Sequence, residues 1–157
     1  MGIVLARIDD RLIHGQVMTS WLNYTGANRI IIVDEETAND TFLKMIVTSV
    51  APANIRTEVF DIEGGAEILS NLGESDKVIV LVKSPSCYVE LLKRGVALEK
   101  VNIGGMGAKE GRSKFYKNIS ASEEEKGWLK ELIDNGVNVS IQIIAEDKSI
   151  DVSKLVS

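Results

Sequence analysis

Short, continuous apolar runs alternate along the chain with longer segments of helical spacing. The runs occupy residues 3–8, 29–33, 57–62, 78–83, 101–103 and 137–144. Val78-Ile79-Val80-Leu81-Val82 and Arg29-Ile30-Ile31-Ile32-Val33 show no polar alternation, as expected of strands covered on both faces. Between the runs, residues 14–24, 37–50, 65–72, 85–94 and 123–135 place apolar side chains three and four positions apart. Gly26, Gly73, Gly95 and Gly136 stand where those helices should stop, and Ser122 with Glu125 has the spacing of a capping box. The alternation predicts an α/β fold: a mainly parallel open sheet of about six or seven strands, doubly wound, with helices on both faces. Ligands of such sheets bind beyond the carboxyl ends of the strands, where strand order reverses. That directs attention to the loops at residues 9–14, 34–36, 61–64, 84–85 and 104–117.

Composition narrows the class. The chain has 157 residues, 45% of them hydrophobic and 26% charged, which suits one globular domain over residues 1–157. No repeat, low-complexity tract or composition shift marks a second domain. Eighteen basic against 23 acidic residues leave a net charge of −5, which argues against a nucleic-acid partner. No apolar run approaches the length of a bilayer span, and the start MGIVLARIDD lacks the basic region of a signal peptide. One cysteine, Cys87, excludes an intrachain disulfide and fits a reducing cytoplasm. With one histidine and one cysteine, no metal or other cofactor is expected.

The first loop concentrates the chemistry. Asp9-Asp10-Arg11-Leu12-Ile13-His14-Gly15-Gln16 holds two carboxylates, a guanidinium and the only histidine. Imidazole is a good nucleophile near neutral pH, able to attack phosphorus and to leave again. At the start of a helix, the first-turn amides and the positive helix end would favour a phosphoryl group attached to His14. Gly15 lets backbone approach such a group, and Arg11 offers a planar charged fork for its oxygens. Asp9 and Asp10 are placed to hold Arg11 or to orient the imidazole, with Arg7 as a further neutralising charge. The same residue types also serve as helix caps, packing groups and surface ion pairs.

The stretch Arg7-Ile8-Asp9-Asp10-Arg11-Leu12-Ile13-His14-Gly15-Gln16-Val17 closely resembles the active-site loop of IIB subunits in the mannose/fructose/sorbose family of the bacterial sugar phosphotransferase system. Trp21, residues 30–42 (IIIVDEETANDTF) and Asn102-Ile103-Gly104-Gly105-Met106 are similar to that family as well. The resemblance implies a cytoplasmic phosphocarrier associated peripherally with membrane subunits. His14 would accept phosphate from a IIA phosphodonor domain, on its Nδ1 atom. The group would pass to a sugar of the mannose, fructose, sorbose or N-acetylgalactosamine class entering through IIC and IID. It places the family's loop arginine on Arg11 and its acidic pair on Asp9 and Asp10.

Other loops carry weaker expectations. Residues 104–117 combine glycines with Lys109, Arg112, Lys114 and Lys117, a local positive patch that suits either a solvated loop or a mobile docking flap. Ser84 is expected to cap the helix starting at Pro85, with its hydroxyl facing His14 if the first and fourth strands are neighbours. Cys87 is expected to be an inert thiol. Asp34-Glu35-Glu36 suits a helix N-terminus. An alternative function is a receiver-like signalling domain, with Asp9 and Asp10 binding a divalent cation and Asp61 accepting phosphate. Against it, Gly104-Gly105 stands where a lysine should close the fifth strand.

Overall fold

The computed structural model describes residues 2–156, so Met1 and Ser157 at the ends of the expected domain lie outside the described residues. In chain order the elements are β1 (Gly2–Asp9), α1 (Gly15–Thr25), β2 (Arg29–Val33), α2 (Glu35–Ala38), α3 (Thr41–Ser49), β3 (Arg56–Phe60), α4 (Ile62–Leu69) and β4 (Lys77–Val82). The second half comprises α5 (Pro85–Lys93), β5 (Lys100–Gly105), β6 (Ser113–Tyr116), β7 (Ile119–Ala121), α6 (Glu123–Asp134), β8 (Asn138–Ile141), β9 (Ile150–Asp151) and α7 (Ser153–Val156). Seven strands form one sheet in the order β3-β2-β4-β1-β5-β8-β9. All its pairings are parallel except that of the edge strand β9, and β6 with β7 makes a separate antiparallel hairpin.

The continuous apolar runs divide their side chains between two layers. Val78, Val80 and Val82 of β4 join Ile31 and Val33 of β2 in one cluster, with Ala66 and Leu69 of α4, Tyr88 and Leu91 of α5, and Leu129 and Leu132 of α6. Ile79 and Leu81 point the other way, with Ile30 and Ile32, against Val17, Met18 and Trp21 of α1. Val47 of α3 packs on that second cluster. Burying an Ile or Leu side chain is worth about 1.5–3 kcal/mol, so β4 anchors both layers at once. The topology then locates a crevice. The chain leaves β1 for α1 in one layer, whereas from both neighbours of β1 it reaches helices of the opposite layer, β4 leading to α5 and β5, by way of β6 and β7, to α6. The carboxyl end of β1 is therefore where the winding changes face.

Several expected boundaries move, each for a local reason. The helix expected over residues 37–50 is two helices, because the Asp40 side chain accepts from the amides of Phe42 and Leu43 and starts α3 anew. The strand expected over 57–62 ends at Phe60. Asp61 caps α4 by accepting from the Gly64 amide at 2.7 Å, so that helix runs three residues earlier than the expected 65–72. Gly73 consequently ends no helix, whereas Gly26 does close α1, with φ +69. The strand expected over 137–144 stops at Ile141. Asp34 caps α2 with Glu35 and Glu36 in its first turn, and Ser122 and Glu125 form the expected capping box.

Candidate functional site

The loop leaving β1 is held by two buried apolar side chains. The Leu12 amide donates to the Asp9 carbonyl at 2.9 Å, closing a tight turn in which Leu12 adopts φ +60. A left-handed conformation costs a branched residue about 1–2 kcal/mol. It is offset here by sinking Leu12 and Ile13 into the layer beside α1. The consequence is the placement of the next residue. His14 is the N-cap of α1 in extended conformation, its carbonyl accepting from Met18 at 2.9 Å, while its ring makes no capping hydrogen bond. The ring is exposed, as are Gly15 and Gln16. The first turn of α1 carries no acidic residue, and the space over Gly15 is open within 4 Å. First-turn amides lack intrahelical acceptors, so this helix end offers free donors beside a free imidazole.

The same segment carries a ladder of charge centred on Asp9. Asp9 is 1% exposed; its Oδ1 accepts from the backbone amide and Nε of Arg11, both at 3.0 Å, and its Oδ2 accepts from Arg11 Nη2 at 3.1 Å. On its other side Arg7 Nη2 stands 3.5 Å from Oδ2. Arg7 is fully buried, its Nη1 donating to Asn102 Oδ1 at 2.6 Å and to the Gln142 carbonyl at 3.0 Å, its guanidinium 5.6 Å from the Trp21 ring. Burial pulls the Arg7 guanidinium down to about 10, against the raising effect of Asp9, so it remains charged at neutral pH. Hydrogen bonding to Asp9 pushes Arg11 the other way, above its ordinary value. Of the two roles expected for the acidic pair, Asp9 takes the first and holds Arg11.

Asp10 belongs to a second network. Its amide donates to the Gly105 carbonyl, and its Oδ2 accepts from the Gly107 amide at 2.9 Å and from Arg112 Nη1 at 3.1 Å. Arg112, 2% exposed at its side chain, also donates to the Gly107 carbonyl and grips Glu125 through two 2.8 Å bonds. The positive patch expected over residues 104–117 keeps Lys109, Lys114 and Lys117 exposed but loses Arg112. Gly104 and Gly105 lie inside β5, Ser113–Tyr116 is a strand, and Arg112 is a neutralised brace between the β1 loop and α6. Glu125 lies below its ordinary carboxyl value. Burial acts to raise it, but the hydrogen bonds and charge of Arg112 and the Ser122 amide outweigh that. A carboxyl lowered on folding contributes stability above its unfolded value and loses it as pH falls through the folded one. Glu125→Gln should therefore cost about 1–2 kcal/mol at pH 7. Thermal melts should show that gap closing as pH falls below the ordinary carboxyl range.

The glycine pair has a packing reason. A Cβ on Gly104 would lie 1.8 Å from Arg7 Cζ, and one on Gly105 would lie 2.6 Å from Asp9 Oδ1. They form a slot for the buried ion pair, not an anion-binding loop. Arg112, Asn102 and this slot were absent from the expected site. The available signal was an arginine inside an apolar strand run, opposite adjacent glycines in another.

Other expected residues separate from this centre or keep simpler duties. β1 and β4 are neighbours, and Ser84 caps α5 with Pro85 following, its Oγ accepting from the Ser86 amide and sharing a hydrogen bond with Ser86 Oγ. Asp61 follows the edge strand β3, with β2 and β4 between it and β1, and its carboxylate is used as a cap. The receiver-like alternative is corrected on that ground: Asp9 and Asp10 are taken up by Arg7, Arg11 and Arg112, and Asp61 is too far along the sheet to join them. Among the described residues no group of His, Cys, Asp and Glu is arranged to hold a metal. Cys87 donates to the Val33 carbonyl at 3.6 Å, and burial with neighbouring carboxylates pushes its thiol up to about 12. Native protein should resist iodoacetamide at pH 8 over hours and react only on unfolding, as a mass-shift assay would read.

Fold and site together define a doubly wound α/β protein that presents an exposed imidazole on the loop leaving β1, where the sheet changes face, with Asp9 of the same segment held between Arg7 and Arg11. Residues 3–157 match the model of the PTS system sorbose subfamily IIB component, and the chain belongs to that family of sugar phosphotransferase components. It is 37% identical to the sorbose-specific EIIB component of Lacticaseibacillus casei, over 97% of this chain and 93% of that one. It is 34% identical to the mannose-specific EIIAB component of Escherichia coli K12, over 100% of this chain and 49% of the longer one. The IIBSor domain of the Klebsiella pneumoniae sorbose permease superposes with a TM-score of 0.93 at 31% identity, covering 99% and 96% of the two chains.

Proposed function

We propose that His14 is the covalent phosphoryl carrier of this IIB component, loaded by a phosphorylated IIA domain and discharged onto a sugar. The observation that carries this reading is an exposed histidine at the N-cap of α1 whose ring makes no capping hydrogen bond. In the loading step a lone pair of the His14 ring attacks phosphorus on the donor's phosphohistidine. The new N–P bond forms as the old one breaks, and the electron pair returns to the donor imidazole. In discharge a sugar hydroxyl oxygen attacks, the His14 N–P bond breaks, and the hydroxyl proton passes to the freed imidazole. Arg11 and the first-turn amides hold the phosphoryl oxygens, and the open space over Gly15 admits them. Asp9 and Asp10 shape the loop, and the Ser84 hydroxyl is a further candidate donor at the neighbouring strand end.

A relative named as a joined EIIAB component supports a IIA donor. Relatives named for sorbose, fructose, mannose and N-acetylgalactosamine support a sugar of that class, taken up through IIC and IID membrane subunits. Among the described residues no helix is long and apolar enough to cross a membrane; the family match supports placing the chain in the cytoplasm, docked on those subunits. The family match over residues 3–157 supports reading the chain as one domain.

The test is incubation with a phosphorylated mannose-type IIA domain, followed by peptide mapping. Acid-labile, base-stable phosphate should appear on the His14 peptide and be lost on adding cognate membranes with sugar; label elsewhere would overturn the assignment. Arg11→Lys should keep the fold and slow loading about ten-fold, because a point charge replaces a two-pronged donor. Quench-flow rates equal to wild type would show that Arg11 does not meet the phosphoryl group.

A further inference from the structure

We propose that Arg7 is a positioning residue for phosphoryl transfer: it is the reserve counterion of Asp9, releasing Arg11 to turn toward the phosphoryl group. The inference rests on His14 being the phosphoryl carrier. Arg11 is 47% exposed at its side chain but is bound through two guanidinium nitrogens to a carboxylate that is 1% exposed. Leaving that carboxylate alone would strand a buried charge, at a cost that would hold Arg11 in place. The structure supplies a replacement. Arg7 Nη2 is the buried side-chain nitrogen or oxygen that has no hydrogen-bond partner among the described residues, and it stands 3.5 Å from Asp9 Oδ2. A closure to about 2.9 Å would make a hydrogen bond. The movement needed is a few tenths of an ångström about Nη1, which stays tethered to Asn102 and Gln142 while the guanidinium keeps its place in the space left by Gly104. Asp9 thus passes from a pair shared with Arg11 to a pair with Arg7 alone, while Arg11 swings outward with its charge intact. Arg7 touches neither substrate nor the reacting atoms; it acts through Asp9.

The experiment follows the arginine side chains by NMR in arginine-labelled protein, before and after loading by a phosphorylated mannose-type IIA domain, with phosphohistidine monitored by its own phosphorus signal. Arg11 Nε and Arg7 Nη2 should both shift, and rotation of the Arg7 guanidinium should slow. Phosphohistidine on His14 with the Arg7 signals unmoved, or with Arg11 still on Asp9, overturns the exchange and leaves the carrier reading standing. Absence of phosphohistidine overturns both. Kinetically, Arg7→Gln should lower kcat of loading at least ten-fold with KM for the IIA donor unchanged. Adding Asp9→Asn should recover most of that loss, since a neutral amide needs no counterion. Wild-type kcat in Arg7→Gln, or a double variant slower than the single one, overturns the proposal. Should Arg7→Gln fail to fold, the NMR comparison on unmodified protein decides it.

Discussion

Replacing His14 with alanine should abolish phosphoryl loading altogether while leaving the melting temperature within a degree or two of wild type. The two halves of that expectation come from one geometry. The ring is exposed and caps nothing, so its loss removes neither packing nor a helix-end hydrogen bond, and surface changes of that kind usually stay within about 0.5 kcal/mol. What it does remove is the chain's sole histidine, so no imidazole remains to carry the phosphoryl group. Loading by a phosphorylated IIA domain and calorimetry on the same sample check both halves. A fully loaded His14→Ala variant would end the carrier assignment. A melt lowered by many degrees would show that the imidazole supports the fold.

Gly104→Ala should have the largest effect on stability, although it adds one methyl group. Its Cβ would lie 1.8 Å from Arg7 Cζ, 2.0 Å from Nη2 and 2.3 Å from Nη1. The guanidinium is the far end of a flexible side chain, but it is fully buried and tied to Asn102 and Gln142, so it has no equivalent place to go. Displacing it strands Asp9 and forfeits the Nη1 bonds, a loss of about 3–5 kcal/mol, with overpacking of β5 adding to it. Urea unfolding should read it as a lowered midpoint with little change in slope. Gly15→Ala, whose methyl meets open space, is the control and should stay near wild type in stability.

The sheet and its two layers were legible because the apolar runs are continuous and the helices are punctuated by caps, both local signals. The first loop was legible because its chemistry lies within eight consecutive residues. Arg112 was misread as part of a positive patch because its partners, Asp10 and Glu125, lie 102 and 13 positions away, and spacing says nothing about which charges meet. The hairpin of β6 and β7 escaped because its strands are short and include charged and polar residues. The split of the expected helix at Asp40 turned on one side chain choosing to cap a new turn, where helical spacing alone reads straight through.

Chain order by itself determined that this protein is an α/β fold with helices on both faces of its sheet and an unusual loop after its first strand, since hydrophobic period and capping chemistry act between near neighbours. Only the tertiary structure decided that Arg7 lies against Asp9 within a slot opened by two glycines of β5, and that Arg112 closes the loop from across the fold. Those pairings join strands and helices far apart in sequence, and the burial that gives their charges such weight exists only once the layers have closed over the sheet.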